Sequence, residues 1–152
     1  MRQTKMALLL GCGKWEWGKM EPREKMDAFQ RFLADNPKAV WRWNGNYREY
    51  LHKNIQYPLN LYFYWDSIIR FRANCIDIQR HDNKDWPRST IPPEFHNDPE
   101  QYVLGTFIDK LELVVETHIK DFPKWDSPET HYNRGLRRSF GVVQDIFVAV
   151  KK

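Results

Sequence analysis

The sequence predicts an α+β domain: a curled sheet or small mixed β-barrel of about five to six strands, with helices packed on it. Three observations carry this reading. Strand-like runs outnumber helical ones and follow one another closely along the chain. Residues 69–78 alternate cleanly, with Ile69, Phe71, Ala73 and Cys75 on one side and Arg70, Arg72 and Asn74 on the other. Residues 23–34 carry Met26, Phe29 and Leu33 three and four apart, the spacing of one amphipathic helix. The 152 residues suit one domain, expected over 1–152 with no linker or repeat. A core of this size buries roughly two-thirds of the unfolded chain's surface, so the fold needs neither disulfide nor metal.

Each element follows from local chemistry. Residues 6–12 are apolar and read as a buried first strand. Gly11, Gly13 and Gly18 bracket Trp15 and Trp17, so the strand leaves into a tightly turning loop. Pro22 stands where a first helical turn accepts proline, and Asn36-Pro37 ends the helix. Residues 39–43 form a second strand and Asn44-Gly45-Asn46 a turn. Tyr47, Tyr50 and Leu51 share a helical face, which predicts a short helix over 47–54. The aromatic-dense run 59–65 is a strand that Asp66-Ser67 turns into 69–78, an antiparallel hairpin. Pro87, Pro92, Pro93 and Pro99 keep 81–99 an irregular loop. A long strand follows over 103–115, then a loop over 121–130, a helical turn over 132–138 and a closing strand over 144–150.

Composition bounds the function. Lys and Arg number 24 against 20 Asp and Glu, a net charge of +4 that permits a nucleic-acid patch without requiring one. Cys12 and Cys75 are isolated and read as reduced thiols of a cytoplasmic protein. The apolar run 6–10 is too short for a secretory segment, and no stretch approaches the roughly twenty apolar residues of a membrane span. No Gly-x-Ser-x-Gly elbow, phosphate-cradling glycine loop or metal-ligand spacing of His and Cys is present. No catalytic residue, metal ligand or cofactor is therefore assigned, and the chain is expected not to be an enzyme.

What stands out is the aromatic content, 15% with seven Trp, placed beside arginines and amides. Trp41-Arg-Trp-Asn-Gly-Asn-Tyr47 and Leu61-Tyr-Phe-Tyr-Trp65 have the mixture that a flat polar ligand needs: rings to stack and amides to read edges. The plain alternative is a large aromatic core and ordinary Asn-Gly turn chemistry. Polar neighbours at strand ends make Trp17, Trp43 and Trp65 the stacking candidates, with Trp41 assigned to the core. Asn44 and Asn46 are the edge-reading candidates. Arg42, Arg70, Arg72 and Arg138 are the phosphate-binding candidates, Arg70 and Arg72 sharing one strand face.

Trp43-Asn-Gly-Asn-Tyr47, then Leu61-Tyr-Phe-Tyr64, a turn and 68–78, resemble the EVE domain of the PUA-like superfamily, a relative of YTH domains and of modified-base readers in restriction systems. Gly135-Leu-Arg-Arg-Ser-Phe-Gly-Val-Val143 is similar to that family's late Arg-Leu-Ser-Val segment. The family's first-strand Lys-Thr-Glu-Pro is absent, and Asn44 stands where it carries Asp. The resemblance implies a small mixed barrel and a pocket that takes a flipped-out, modified base, for example a methylated one, between aromatic rings. The expected partner is then DNA or RNA, with a separate effector protein acting beside it and no membrane. Two other classes remain open: a protein-interaction domain using its aromatic and arginine surface, and a small nucleotide-directed enzyme.

Overall fold

The computed structural model describes residues 5–13, 18–44, 55–81, 86–125, 127–132 and 140–147. Six strands and one helix make up the fold: β1 (Met6–Gly11), α1 (Pro22–Asp35), β2 (Ala39–Trp43), β3 (Leu59–Trp65), β4 (Ile68–Arg80), β5 (Leu104–His118) and β6 (Phe140–Gln144). The helix begins as its sequence dictates. Pro22 occupies the first turn, and the Glu24 carboxylate accepts the Glu21 backbone N–H at 2.9 Å. At the other end the Asn36 carboxamide donates to the Phe32 carbonyl, and Pro37 stops the helix. The loop before β5 is built on its prolines, which open the single-turn 3₁₀ segments Arg88–Thr90 and Pro93–Phe95.

All six strands form one sheet in the order β2-β5-β4-β3-β1-β6. The β3–β4 hairpin is antiparallel as expected, with Asp66 and Ser67 both at positive φ in the two-residue turn. The exception to antiparallel pairing is β1, which runs parallel to β3 with Leu10 opposite Phe63. β1 is apolar and buried on both faces, the pattern of a central strand.

The sheet separates two cores. On one face Met26, Phe29, Trp41, Phe63 and Phe71 pack together with α1, and the Trp41 ring lies 4.5 Å from Phe63 and 4.9 Å from Phe29. On the other, Leu9, Tyr62, Tyr64, Phe122 and Val143 form a smaller cluster. β3 serves both by alternation, sending Leu61 and Phe63 one way and Tyr62 and Tyr64 the other.

Two expectations are corrected, and two expected helices fall wholly or largely outside the described residues. The sheet does not close into a barrel: among its six strands β2 pairs only with β5 and β6 only with β1, at opposite edges, and the outer side of β6 is met by a single bridge from Lys124 to Val143. The physical reason is α1, which fills the face that a barrel's own inward side chains would occupy. The described residues contain one α-helix, and the helices expected over 47–54 and 132–138 fall wholly or largely outside them. The closing strand lies at Phe140–Gln144 rather than 144–150. Asp145 ends it, because its buried carboxylate accepts from Tyr62 Oη at 2.8 Å, Asn60 Nδ2 at 2.6 Å and the Phe147 N–H at 3.0 Å, bending the chain away. Among the described residues no helix is long and apolar enough to cross a membrane.

Close approach makes two glycines indispensable, Gly141 against the Tyr132 ring and Gly105. A methyl group on Gly105 would sit 2.5 Å from the Trp86 ring and 2.8 Å from Val40, whereas one on Gly13 meets nothing within 4 Å. Gly105→Ala should destabilise the protein by about 1–3 kcal/mol through overpacking. Gly13→Ala should stay within about 0.5 kcal/mol of the parent. Urea denaturation midpoints of the two variants check this directly.

Candidate functional site

The parallel pair β1 and β3 ends on the same side of the sheet, and a cleft of about 640 Å³ opens there. Residues 11–13, 21–23 and 64–67 line it. The exit of β1, the first turn of α1 and the hairpin turn thus meet outside the carboxyl ends of two parallel strands, a favoured place for ligands in α/β sheets. The Cys12 N–H donates to the Tyr64 carbonyl at 2.8 Å, carrying the ladder one residue past β1 and fixing the cleft floor.

Among the described residues, Trp65 is the predicted stacking residue that this cleft contains. Its ring is half-buried, and its neighbours are the Phe71 ring at 6.1 Å and the Arg70 guanidinium, 5.1 Å from the ring centre. Arg70 Nη1 is ion-paired with Glu116 at 2.7 Å, while its buried Nε has no hydrogen-bond partner among the described residues. Arg23, at the helix start, adds an exposed cation whose guanidinium lies 5.2 Å from the Phe71 ring centre.

The other candidates are placed elsewhere. Trp43 is buried, and its indole N–H donates to Thr106 Oγ1 at 2.7 Å, tying β2 to β5. Asn44 is exposed but acts as a clamp: Nδ2 donates to the Gln101 carbonyl at 2.8 Å and Oδ1 accepts the Val103 N–H at 2.9 Å. Arg42 donates to the Phe95 carbonyl and lies over the Tyr102 ring. Arg72 sits on the sheet face opposite α1, beside Tyr62, and pairs with Glu112 at 3.2 Å. Arg70 and Arg72 are therefore charge-matched across β4 and β5 rather than free for phosphates. Trp17, Asn46 and Arg138 lie outside the described residues.

A second, much smaller cavity of about 50 Å³ lies between Phe29, Trp41, Arg42, Phe95 and Tyr102. A cavity of roughly 150 Å³ is what holds a benzene ring, so this one has room for water and not for a base. Lys25 connects the two spaces. It lines the small cavity, its Nζ lies 5.2 Å from the Trp41 ring centre, and it donates at 2.9 Å to the carbonyl of Gly13 in the cleft. Lys25 and Arg23 were not singled out from sequence. The available signal was the succession of a buried strand, a Gly-Cys-Gly exit and a helix start, which puts early helical residues beside the strand end.

Electrostatics follow burial. Desolvation pushes the Cys12 thiol from 9.0 up to about 11, with nearby Lys25 opposing the shift, and raises Cys75 to about 12. Burial lowers Arg42, with Asp98 opposing, and raises Tyr102, whose hydroxyl donates to Asp98 at 2.8 Å. Both thiols are thus protonated at neutral pH. Among the described residues no three His, Cys, Asp or Glu side chains converge as metal ligands would. No protein-family model, curated protein or solved structure matches this chain.

The folded protein holds both thiols protonated to higher pH than the unfolded chain does. Their stabilising contribution is therefore complete below about pH 9 and is lost as pH rises through the folded values near 11 and 12. Replacing both cysteines by alanine should flatten the alkaline limb of a curve of unfolding free energy against pH. Urea denaturation from about pH 8 to about pH 11 measures it, and an unchanged limb would place the alkaline loss on other groups.

Proposed function

We propose that this chain is a non-catalytic nucleic-acid-binding module that takes a flipped-out, modified base into the cleft beside Trp65. The observation that carries the reading is the cleft itself: about 640 Å³, at the carboxyl ends of a parallel strand pair, with a half-buried indole in its wall. Its size admits a base with a methyl substituent, and the indole offers the sequence-tolerant stacking surface that bases use. Residues 11–13 and 64–67 border it with backbone amides and carbonyls that can read donor and acceptor edges.

Energetics set what else is required. Stacking contributes on the order of 1–3 kcal/mol per base, and extracting a base from a duplex costs a few kcal/mol. Stacking alone does not reach net affinity, so cations at the rim must hold the flanking phosphates. Arg23 at the cleft edge is the exposed one, and its ion pair with Asp27, at 3.5 Å between exposed groups, is too weak to withhold it from a phosphate. Trp43 and Asn44 serve the same reading as struts, holding β2 and the loop before β5 in place rather than touching the base. An added methyl group, once buried, contributes roughly 0.8 kcal/mol to preference for the modified base.

The test is a titration of the intact protein, at low salt, with methylated and unmethylated oligonucleotides of one sequence, followed by fluorescence anisotropy of the labelled strand. Binding should weaken steeply with salt, as phosphate contacts demand. Trp65→Ala should weaken binding by about ten- to a hundredfold, the size of one lost stacking contact. Arg23→Gln should reduce the salt slope by about one contact. Absence of binding to either oligonucleotide, or full affinity in Trp65→Ala with its fold intact by circular dichroism, would refute the reading.

A further inference from the structure

The hairpin turn at the cleft carries side chains that the fold itself does not use. Asp66 and Ser67 stand at positive φ, 54° and 64°, in the two-residue turn between β3 and β4. The Ser67 carbonyl accepts the Ile119 N–H at 3.0 Å, which pins the turn to the end of β5. The turn is thus held by its backbone, and asparagine or glycine would suit its conformation as well as aspartate does. Asp66 lines the cleft and is exposed, and among the described residues its carboxylate has no hydrogen bond or ion pair. The hydroxyl of Ser67, also in the lining, is likewise unengaged among the described residues.

The charge of the cleft sets the kind of ligand edge it accepts. Its lining holds two carboxylates, Glu21 and Asp66, against one guanidinium, Arg23. Glu21 is committed to the capping box that opens α1, and Arg23 reaches Asp27 at 3.5 Å on the helix surface. Asp66, adjoining Trp65 in the wall of the same cleft, is left as an acceptor with two oxygens and no proton to give. An aromatic ligand has to turn donors toward it.

We propose, resting on the reading of this cleft as a base site, that Asp66 makes it selective for guanine: the carboxylate accepts N1–H and N2–H of the flipped base, and the Ser67 hydroxyl donates to O6. Guanine is the common base whose pairing edge sets two donors side by side. Adenine and cytosine each present one amino donor next to a ring-nitrogen acceptor, whose lone pair would face a carboxylate oxygen. Uracil and thymine present one N–H between two carbonyls, and both carbonyls are repelled. A carboxylate grips the guanine pair as it grips a guanidinium, through two parallel charge-assisted N–H···O bonds. The same contact limits the modification that the cleft takes. A methyl group on O6 or N1 removes the N1 proton, so the accepted group lies on the five-membered ring, away from the edge that Asp66 reads.

The test uses the full chain and labelled single-stranded thymine oligonucleotides, titrated at low salt by fluorescence anisotropy, with one central base changed to guanine, adenine, cytosine, hypoxanthine or O6-methylguanine. The guanine strand should bind at least about tenfold more tightly than the all-thymine, adenine and cytosine strands, the scale of one hydrogen bond to a charged group. Hypoxanthine, which lacks the 2-amino group, and O6-methylguanine, which lacks the N1 proton, should each lose most of that advantage. Asp66→Asn keeps a residue suited to positive φ, so circular dichroism and melting should match the parent. It should cut the preference for guanine to about threefold or less and favour adenine, whose adjacent donor and acceptor a carboxamide matches. Equal binding of all strands, or an Asp66→Asn variant that keeps the full preference for guanine, overturns the selectivity while the base site stands. Binding of no strand refutes both.

Discussion

The register of β1 against β3 is the constraint on which the rest of this molecule hangs. β1 is apolar on both faces and paired on both edges, so it has no freedom to slide: a one-residue slip would exchange the side chains of two cores at once. With Leu10 opposite Phe63, the exit of β1 arrives beside the hairpin turn, and the helix must start from that corner. The cleft is therefore a product of strand pairing. An antiparallel partner would have carried the β1 exit and the hairpin turn to opposite ends of the sheet.

Much of the fold was legible because its signals are local. Alternation, a proline in a helical first turn and a two-residue turn each act within a few positions, and they place α1, β2 and the β3–β4 hairpin within a residue or two of where they stand. What was not legible depends on partners far along the chain. Trp43 beside Asn44 reads as a site because polar groups surround it in sequence, yet its indole N–H is satisfied by Thr106 in β5, 63 positions away. Arg70 and Arg72 read as a phosphate track because the carboxylates that neutralise them, Glu116 and Glu112, come from a strand 40 or more residues later. Lys25 was missed for the same reason, since only the folded chain places it against the Gly13 carbonyl and the Trp41 ring.

The aromatic surplus divides accordingly. Trp41, Trp43 and Trp86 are buried, each with a defined neighbour, while Trp65 keeps part of its ring open. Trp86 shows how specific the interior is: its ring stacks on His81 at 4.1 Å, its N–H donates to the Tyr102 carbonyl, and it lies against the bare backbone of Gly105. The polar face is built differently. Exposed ion pairs such as Arg72–Glu112 contribute only about 0–1 kcal/mol each, so they set side-chain order more than stability.

The position of β6 has a consequence for how the chain reaches this structure. β1 is made before the other strands of this sheet, but its outer edge is met by β6, with Met6 opposite Gln144 and the Asp145 N–H donating to the Lys5 carbonyl. More than a hundred residues must be synthesised before that edge is covered. At about 5–20 residues per second on the ribosome, this leaves an apolar strand unpaired for several seconds or longer. Closures this remote in sequence also slow the folding of the finished chain. The strand that anchors the mature sheet thus waits with one edge open to chaperones, and to wrong partners, during biosynthesis.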